Sequence, residues 1–220
     1  MMNFVITDYN EADRIGKDEC AREWREIELA LKALPLYLKA SDQAGRQGTA
    51  IFDPVATNAF IKGRLEGSGW AVVPIPAEYD SFGTDIDSGK NGVIVEIQFS
   101  NYPFLPNNTV RADVFFRERV AIRGRVTTLA VIISKGHMFP ASNSTLYYEQ
   151  AKRQLDALAK YQVFRVPLRL VGLMSPIREG VAAIWTPYGA RYSRDMSRQR
   201  EVKCDIQGSP GERCRISVRR

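Results

Sequence analysis

Apolar side chains recur at Cys20, Trp24, Ile27, Leu31 and Leu34, three or four residues apart, with charged residues between them. That is one stripe of an amphipathic helix, and the reading places a helix over 11–34, ended by Pro35. Asp53 before Pro54 pairs a capping side chain with proline at the first helical position, so a second helix is predicted to about Glu66, stopped by Gly67 and Gly69. From Trp70 the period shortens. Trp70–Ile75 reads as a strand. Thr84–Asp87 and Val93–Ser100 read as two strands around Ser88-Gly89-Lys90-Asn91-Gly92, a turn-rich connection containing Asn-Gly. In the second strand Val93, Val95, Ile97 and Phe99 face one way, and Ile94, Glu96, Gln98 and Ser100 the other. Further on, the pattern predicts a helix over Asn107–Glu118, capped by Asn107 or Asn108, and a buried strand over Val126–Ser134. It then predicts a helix over Thr145–Lys160, capped by Ser142, Asn143 or Ser144. Strands over Pro167–Leu173 and Val181–Trp185 complete the pattern.

This order, with helix and strand alternating after a hairpin, implies an α/β fold with a mixed β-sheet core flanked by helices. Residues 1–188 form the expected core. Residues 189–220 are read as a basic, irregular segment of the same domain with one late strand.

Composition narrows the chemistry. At 220 residues, 45% apolar and 25% charged, the chain is an ordinary globular one. No apolar run has the length of a membrane span, and MMNFVITDYNEADR lacks the basic and apolar regions of a secretory signal, so no membrane partner and a reducing, cytoplasmic setting are expected. Cys20, Cys204 and Cys214 are an odd, widely spaced set, which argues against a disulfide framework. A single histidine, His137, argues against histidine-ligated zinc. Hydrolytic chemistry would therefore rest on carboxylates and a hard cation. The net charge is +6, and residues 189–220 carry nine Lys and Arg against four Asp and Glu, so the excess is concentrated there. Such a segment suits a polyanion or a solvated tail.

The hairpin is where carboxylates could converge. If Asp87 lies opposite Glu96, Asp85 lies opposite Gln98, and all four share one face. Opposed residues have Cβ atoms roughly 4.5–5.5 Å apart. Two carboxylates that close repel unless a cation lies between them, and a small all-oxygen set suits Mg²⁺. An acidic, solvent-exposed hairpin satisfies the same spacing, and a bulge would break the register.

The surrounding motifs separate these readings. An acid, a gap and then Glu-x-Gln resembles the PD-(D/E)xK nuclease core. GTDID, VEIQFSNYPFL with NNTVR, KGHMFPASNS with LYYEQA, RLVGL and RYSR resemble the BglII-like Type II restriction endonucleases. The similarity runs from ITDYN, KASDQA and IFDPV to about Arg194, and BstYI looks like a more distant relative through EIQF. The resemblance implies a restriction-endonuclease-like fold with Asp87 and Glu96 as metal-binding acids and Gln98 in place of the usual catalytic lysine. It implies that Ser100 and Asn101, Asn143 and Ser144, and Tyr192 and Arg194 meet DNA. It also implies a Mg²⁺ cofactor and a homodimer on double-stranded DNA. The implied cut is after the first A of AGATCT, leaving 5′ overhangs, in a bacterium with a companion methyltransferase. Degenerate RGATCY specificity, or an inactive DNA-binding module, are the alternatives. One departure is Ala71-Val72-Val73 before Pro74, where those enzymes carry an asparagine pair.

Glutamine brings no charge and cannot act as a base at neutral pH, though its amide can orient a water or face a metal. At His137–Ser144, Asn143 or Ser144 could cap the next helix, meet a phosphate or reach a base edge. The helices at 107–118 and 145–160 are candidate dimer surfaces. The stripe Tyr147, Ala151, Leu155 and Leu158 fits either a dimer face or the core.

Overall fold

The apolar alternation of the central strands buries both of their faces, which requires a layer on each side. The computed structural model describes residues 2–141, 146–190, 193–208 and 213–219. The chain opens with β1 (Asn3–Tyr9), α1 (Ala12–Lys17), α2 (Ala21–Lys32), β2 (Leu36–Ala40), β3 (Ala50–Phe52) and α3 (Pro54–Glu66). Next come β4 (Ala71–Pro74), β5 (Asp85–Lys90), β6 (Val93–Ile97), α4 (Phe104–Arg117), β7 (Ala121–Ile122), β8 (Arg125–Val126) and β9 (Leu129–Lys135). Then follow α5 (Tyr148–Lys160), β10 (Leu168–Met174), β11 (Val181–Thr186), β12 (Tyr188–Ala190), β13 (Ser193–Arg194), β14 (Arg200–Gln207) and β15 (Arg215–Val218).

The main sheet has six strands in the order β1-β10-β9-β6-β5-β4, with β6, β9 and β10 parallel and the outer pairings antiparallel. Val93, Val95, Ile97, Phe99, Val131 and Ile133 enter one core with α1, α2 and α3. Ile94, Ala130 and Ile132 enter a second core with α4 and α5. The mixed sheet flanked by helices is thus as the sequence implies.

A second sheet, β15-β14-β11-β2-β3, was not anticipated. Its inner residues, among them Leu36, Leu38, Phe52, Ala183, Cys204, Ile206 and Ile216, close the first core. Among the described residues the stretch after Gly189 therefore carries three strands, β13, β14 and β15, and β14 and β15 bury apolar side chains. The expected irregular segment is corrected to that extent.

Other elements shift for local reasons. The helix expected over 11–34 is two helices, broken where Cys20 N–H bonds back to Ile15 O at 2.9 Å. Its apolar stripe survives, with Cys20, Ile27, Leu31 and Leu34 fully buried. Pro54–Glu66 is helical as predicted, and Asp53 accepts from Ala56 N–H at 3.1 Å as its cap. α4 starts earlier than predicted, at Phe104, so Asn107 and Asn108 lie inside it and cap nothing. α5 starts at Tyr148 with Tyr147 at its cap position, later than expected, and the expected caps Ser142, Asn143 and Ser144 lie outside the described residues. In α5, Ala151 and Leu155 are fully buried against Phe164, Leu168 and Leu170 of the same chain, which settles that stripe as core. Among the described residues no helix is long and apolar enough to cross a membrane.

Candidate active site

The hairpin β5–β6 is tighter than its sequence suggested. Its connection is the pair Asn91-Gly92, both with positive φ (45° and 80°), the signature of a type I′ turn. A Cβ on Gly92 would lie 2.3 Å from Val126 O, so glycine is required there. The turn end is pinned. Lys90 Nζ bonds both Glu26 carboxylate oxygens (2.9 and 2.7 Å) and Ser68 O (2.7 Å), and Asn91 Nδ2 donates to Glu23 Oε1 at 2.8 Å.

Pairing runs Lys90–Val93, Gly89–Ile94 and Ser88–Val95, the register that brings Asp87 opposite Glu96. The ladder stops there. The Asp87 carboxylate takes over the next backbone donor: its Oδ2 accepts from Ile97 N–H at 2.8 Å. Against β4 the hairpin bulges, for Ala71 faces Gly89 but Val73 faces Ile86, leaving one extra residue in β5 around Asp87-Ser88. Accordingly Ile86 joins the same core as Ile94 rather than the opposite one. The bulge takes Asp85 out of the alternation with Asp87. It is exposed and accepts from Thr84 Oγ1 at 3.0 Å, so the expected four-residue face reduces to Asp87, Glu96 and Gln98.

Two cations reach this group from opposite layers. Lys62 of α3 places Nζ 2.6 Å from Asp87 Oδ1. Arg111 of α4 donates from Nη2 to Glu96 Oε1 and from Nη1 to Phe82 O at 2.9 Å. Neither was foreseen in the sequence. Arg111 carried the better signal, a basic residue at helical spacing among the buried Asn108, Ala112 and Phe115. Glu96 is 7% exposed, and its carboxyl is pushed up to about 7. Burial is the main cause and the Asp87 charge adds to it, outweighing the pull of Arg111 and Lys62. Gln98 continues the strand through its N–H to Ile133 O at 2.8 Å, and is 6% exposed. Its Oε1 is buried without a hydrogen-bond partner among the described residues.

A buried amide oxygen without a partner costs stability, so its retention points to something it accepts or ligates in use. Two carboxylates and this oxygen form a hard donor set that fits Mg²⁺, an ion that keeps several waters. No group of three or more His, Cys, Asp or Glu among the described residues is placed to hold a metal, so water and substrate would complete the coordination. Asp87 and Glu96 would hold the ion, with Gln98 Oε1 beside it.

The expected DNA-reading residues are spread over three segments. Ser100 and Asn101 are exposed just past β6. Asn143, Ser144 and Tyr192 lie outside the described residues. Arg194 is described: its Nη2 donates to Asp53 Oδ2 at 2.6 Å, and its Nε is buried without a hydrogen-bond partner among the described residues.

Residues 4–173 match the family described as restriction endonuclease BglII/BglIII. The Type II restriction enzyme BglII of Bacillus subtilis is 50% identical over 204 residues, 92% of this chain and 90% of the relative. The crystal structure of restriction endonuclease BglII complexed with a DNA 16-mer superposes with a TM-score of 0.91 at 46% identity, covering 99% of this chain and 100% of that one. Free BglII covers the same shares at 41% identity and a TM-score of 0.75, so the fold described above is nearer the DNA-bound relative. The chain therefore belongs to the BglII/BglIII restriction endonuclease family and is a Type II restriction endonuclease.

Proposed function

We propose that this enzyme is a Mg²⁺-dependent homodimer that hydrolyses double-stranded DNA at A^GATCT, leaving 5′ overhangs. The observation that carries the chemistry is the acid pair Asp87 and Glu96 beside the unpartnered Gln98 Oε1. The recognition site and the double-stranded substrate rest on likeness to BglII, whose structure in complex with DNA aligns with nearly the whole chain.

When bound, a divalent cation acidifies water and stabilises charge developing on the phosphate. The chain's own residues do the rest. Asp87 and Glu96 hold the ion, and Gln98 orients a water through its amide. Gln98 cannot supply the positive charge of the usual lysine, but Lys62 brings an ammonium to Asp87 from helix α3. Water attacks phosphorus in line, the P–O3′ bond breaks, and the products are a 5′-phosphate and a 3′-hydroxyl.

A palindromic site calls for a twofold dimer. Tyr102 and Phe104, just before and at the start of α4 and close in sequence to Ser100 and Asn101, and Val110 in the middle of that helix are exposed apolar side chains that supply a face for it. Action in the bacterial cytoplasm, beside a protecting methyltransferase, follows from the same reading.

The test is incubation with unmethylated plasmid, with and without Mg²⁺, beside Asp87→Ala and Glu96→Ala. Discrete fragments with wild type and metal alone, with ends mapping to A^GATCT, are expected. Ends at RGATCY would replace the specificity. Tight binding with no cleavage at any divalent metal would overturn the chemistry.

A further inference from the structure

Lys135 ends β9 and is fully buried, with none of its surface exposed. A lysine in such a place is expensive, and burial, with Arg213 nearby, pushes its ammonium down to about 7. A leucine or methionine would end the strand at lower cost. What the lysine does instead is join two segments of chain. Its Nζ donates to Leu146 O at 2.9 Å and to Phe99 O at 3.3 Å, and lies 4.4 Å from the centre of the Tyr147 ring. Phe99 immediately precedes Ser100 and Asn101, and Leu146 follows the segment containing Asn143 and Ser144. The two are also bonded directly, Leu146 N–H donating to Ser100 O at 3.0 Å.

The surroundings stiffen this junction. The His137 ring meets the Tyr147 ring edge-on at 5.0 Å, and His137 N–H donates to Glu149 Oε2 at 2.8 Å. From the far end of the chain, the Arg213 guanidinium lies 5.4 Å from the centre of the Tyr147 ring.

We propose that Lys135 is a positioning residue for base recognition, tying the end of β6 that leads into Ser100 and Asn101 to Leu146 so that Ser100 and Asn101 meet the site in one fixed place. This rests on the reading that Ser100 and Asn101 contact bases. Lys135 takes no part in the cleavage chemistry. Its contribution is discrimination, because a loop free to shift by a fraction of an ångström can satisfy a wrong base as readily as the right one.

The test is Lys135→Met, which keeps the length of the side chain and removes its donors. Binding is measured with Ca²⁺ on AGATCT duplexes and on duplexes changed at one base pair, alongside thermal stability. The expected result is a stability equal to or above wild type and a fall of roughly tenfold in the ratio of cognate to altered-site affinity, the size of one lost base contact. A ratio within twofold of wild type overturns the proposal, whatever the stability. If the methionine variant does not fold, Tyr147→Leu removes the ring under the ammonium and leaves the ammonium in place. There the ratio is expected to fall by about threefold, a smaller loss than that of one whole base contact, and an unchanged ratio again overturns the proposal. Asn101→Ala runs beside them. If it leaves the ratio intact, the reading of Ser100 and Asn101 fails; if it collapses the ratio and Lys135→Met does not, only the role of Lys135 fails.

Discussion

Lys62 Nζ stands 2.6 Å from Asp87 Oδ1, so the acid expected to hold a metal is met by a lysine from a different element than the motif would place it on. Two positive charges cannot share one carboxylate without cost. At roughly 4 Å and an effective dielectric near 20 the repulsion between an ammonium and a divalent ion is about 8 kcal/mol, which relaxation and ions reduce. Lys62→Met is therefore expected to bind Ca²⁺ about three- to tenfold more tightly, while single-turnover cleavage with Mg²⁺ falls. Calorimetric titration of Ca²⁺ decides the first half. Weaker Ca²⁺ binding in the variant would mean that Lys62 holds Asp87 in place for the metal rather than competing with it.

Gln98 presents a second trade between stability and function. Its Oε1 is buried and unpartnered, a state that costs about 1–3 kcal/mol. Gln98→Leu is expected to raise the metal-free stability by about 1 kcal/mol while abolishing cleavage. Thermal denaturation in EDTA beside a cleavage assay checks both. A loss of stability would assign the amide a structural role instead.

Glu96 sets a pH dependence. Its folded carboxyl, at about 7, binds its proton more tightly than an ordinary glutamate at 4.5. The folded state thus holds more protons than the unfolded state between those values. The stability this group contributes is full below about pH 4.5 and is lost as pH rises through 7. Metal needs the ionised form, so Ca²⁺ affinity is expected to rise about tenfold per pH unit up to pH 7 and to level off above it. Titrations at pH 6, 7 and 8 measure this. An affinity that does not change across that range would show that Glu96 is already ionised, or is not a ligand.

How far the sequence reached depends on whether an element's cause was local. α3 has its cap and proline within three residues, and its bounds agree with the prediction. The turn signal Asn91-Gly92 was legible in the sequence, but the register of β5 and β6 was only assumed there; the pairing of Ser88 with Val95 is the one that brings Asp87 beside Glu96. The bulge that removes Asp85 follows from pairing with β4, a partner chosen by the fold. β2 and β3 were missed, and β14 and β15 were read as a single late strand, because they are short or carry charges on their outer face and show as strands only once paired. Lys62 and Arg111 lie 25 and 15 residues from the acids they meet, and only the packing of α3 and α4 on the sheet brings them there.

Arg194 and Asp53 give the last prediction. Asp53 is fully buried and does two things, capping α3 through Ala56 N–H and accepting from Arg194 Nη2. Asp53→Asn keeps a capping side chain and removes the charge, leaving a partly buried guanidinium without its carboxylate, at a cost of about 1–3 kcal/mol. Arg194→Ala removes the other partner and should cost a similar amount. The two variants differ at DNA. The Asp53 pair occupies Nη2 and Nε is buried, which leaves Nη1 for phosphate or base. Arg194→Ala is therefore expected to lower cognate affinity about tenfold below that of Asp53→Asn, and to flatten its salt dependence. Denaturant melts give the stabilities, and binding in Ca²⁺ at several salt concentrations gives the rest. Equal DNA affinities in the two variants would make Arg194 a brace for α3 and nothing more, for then all of its effect would pass through Asp53.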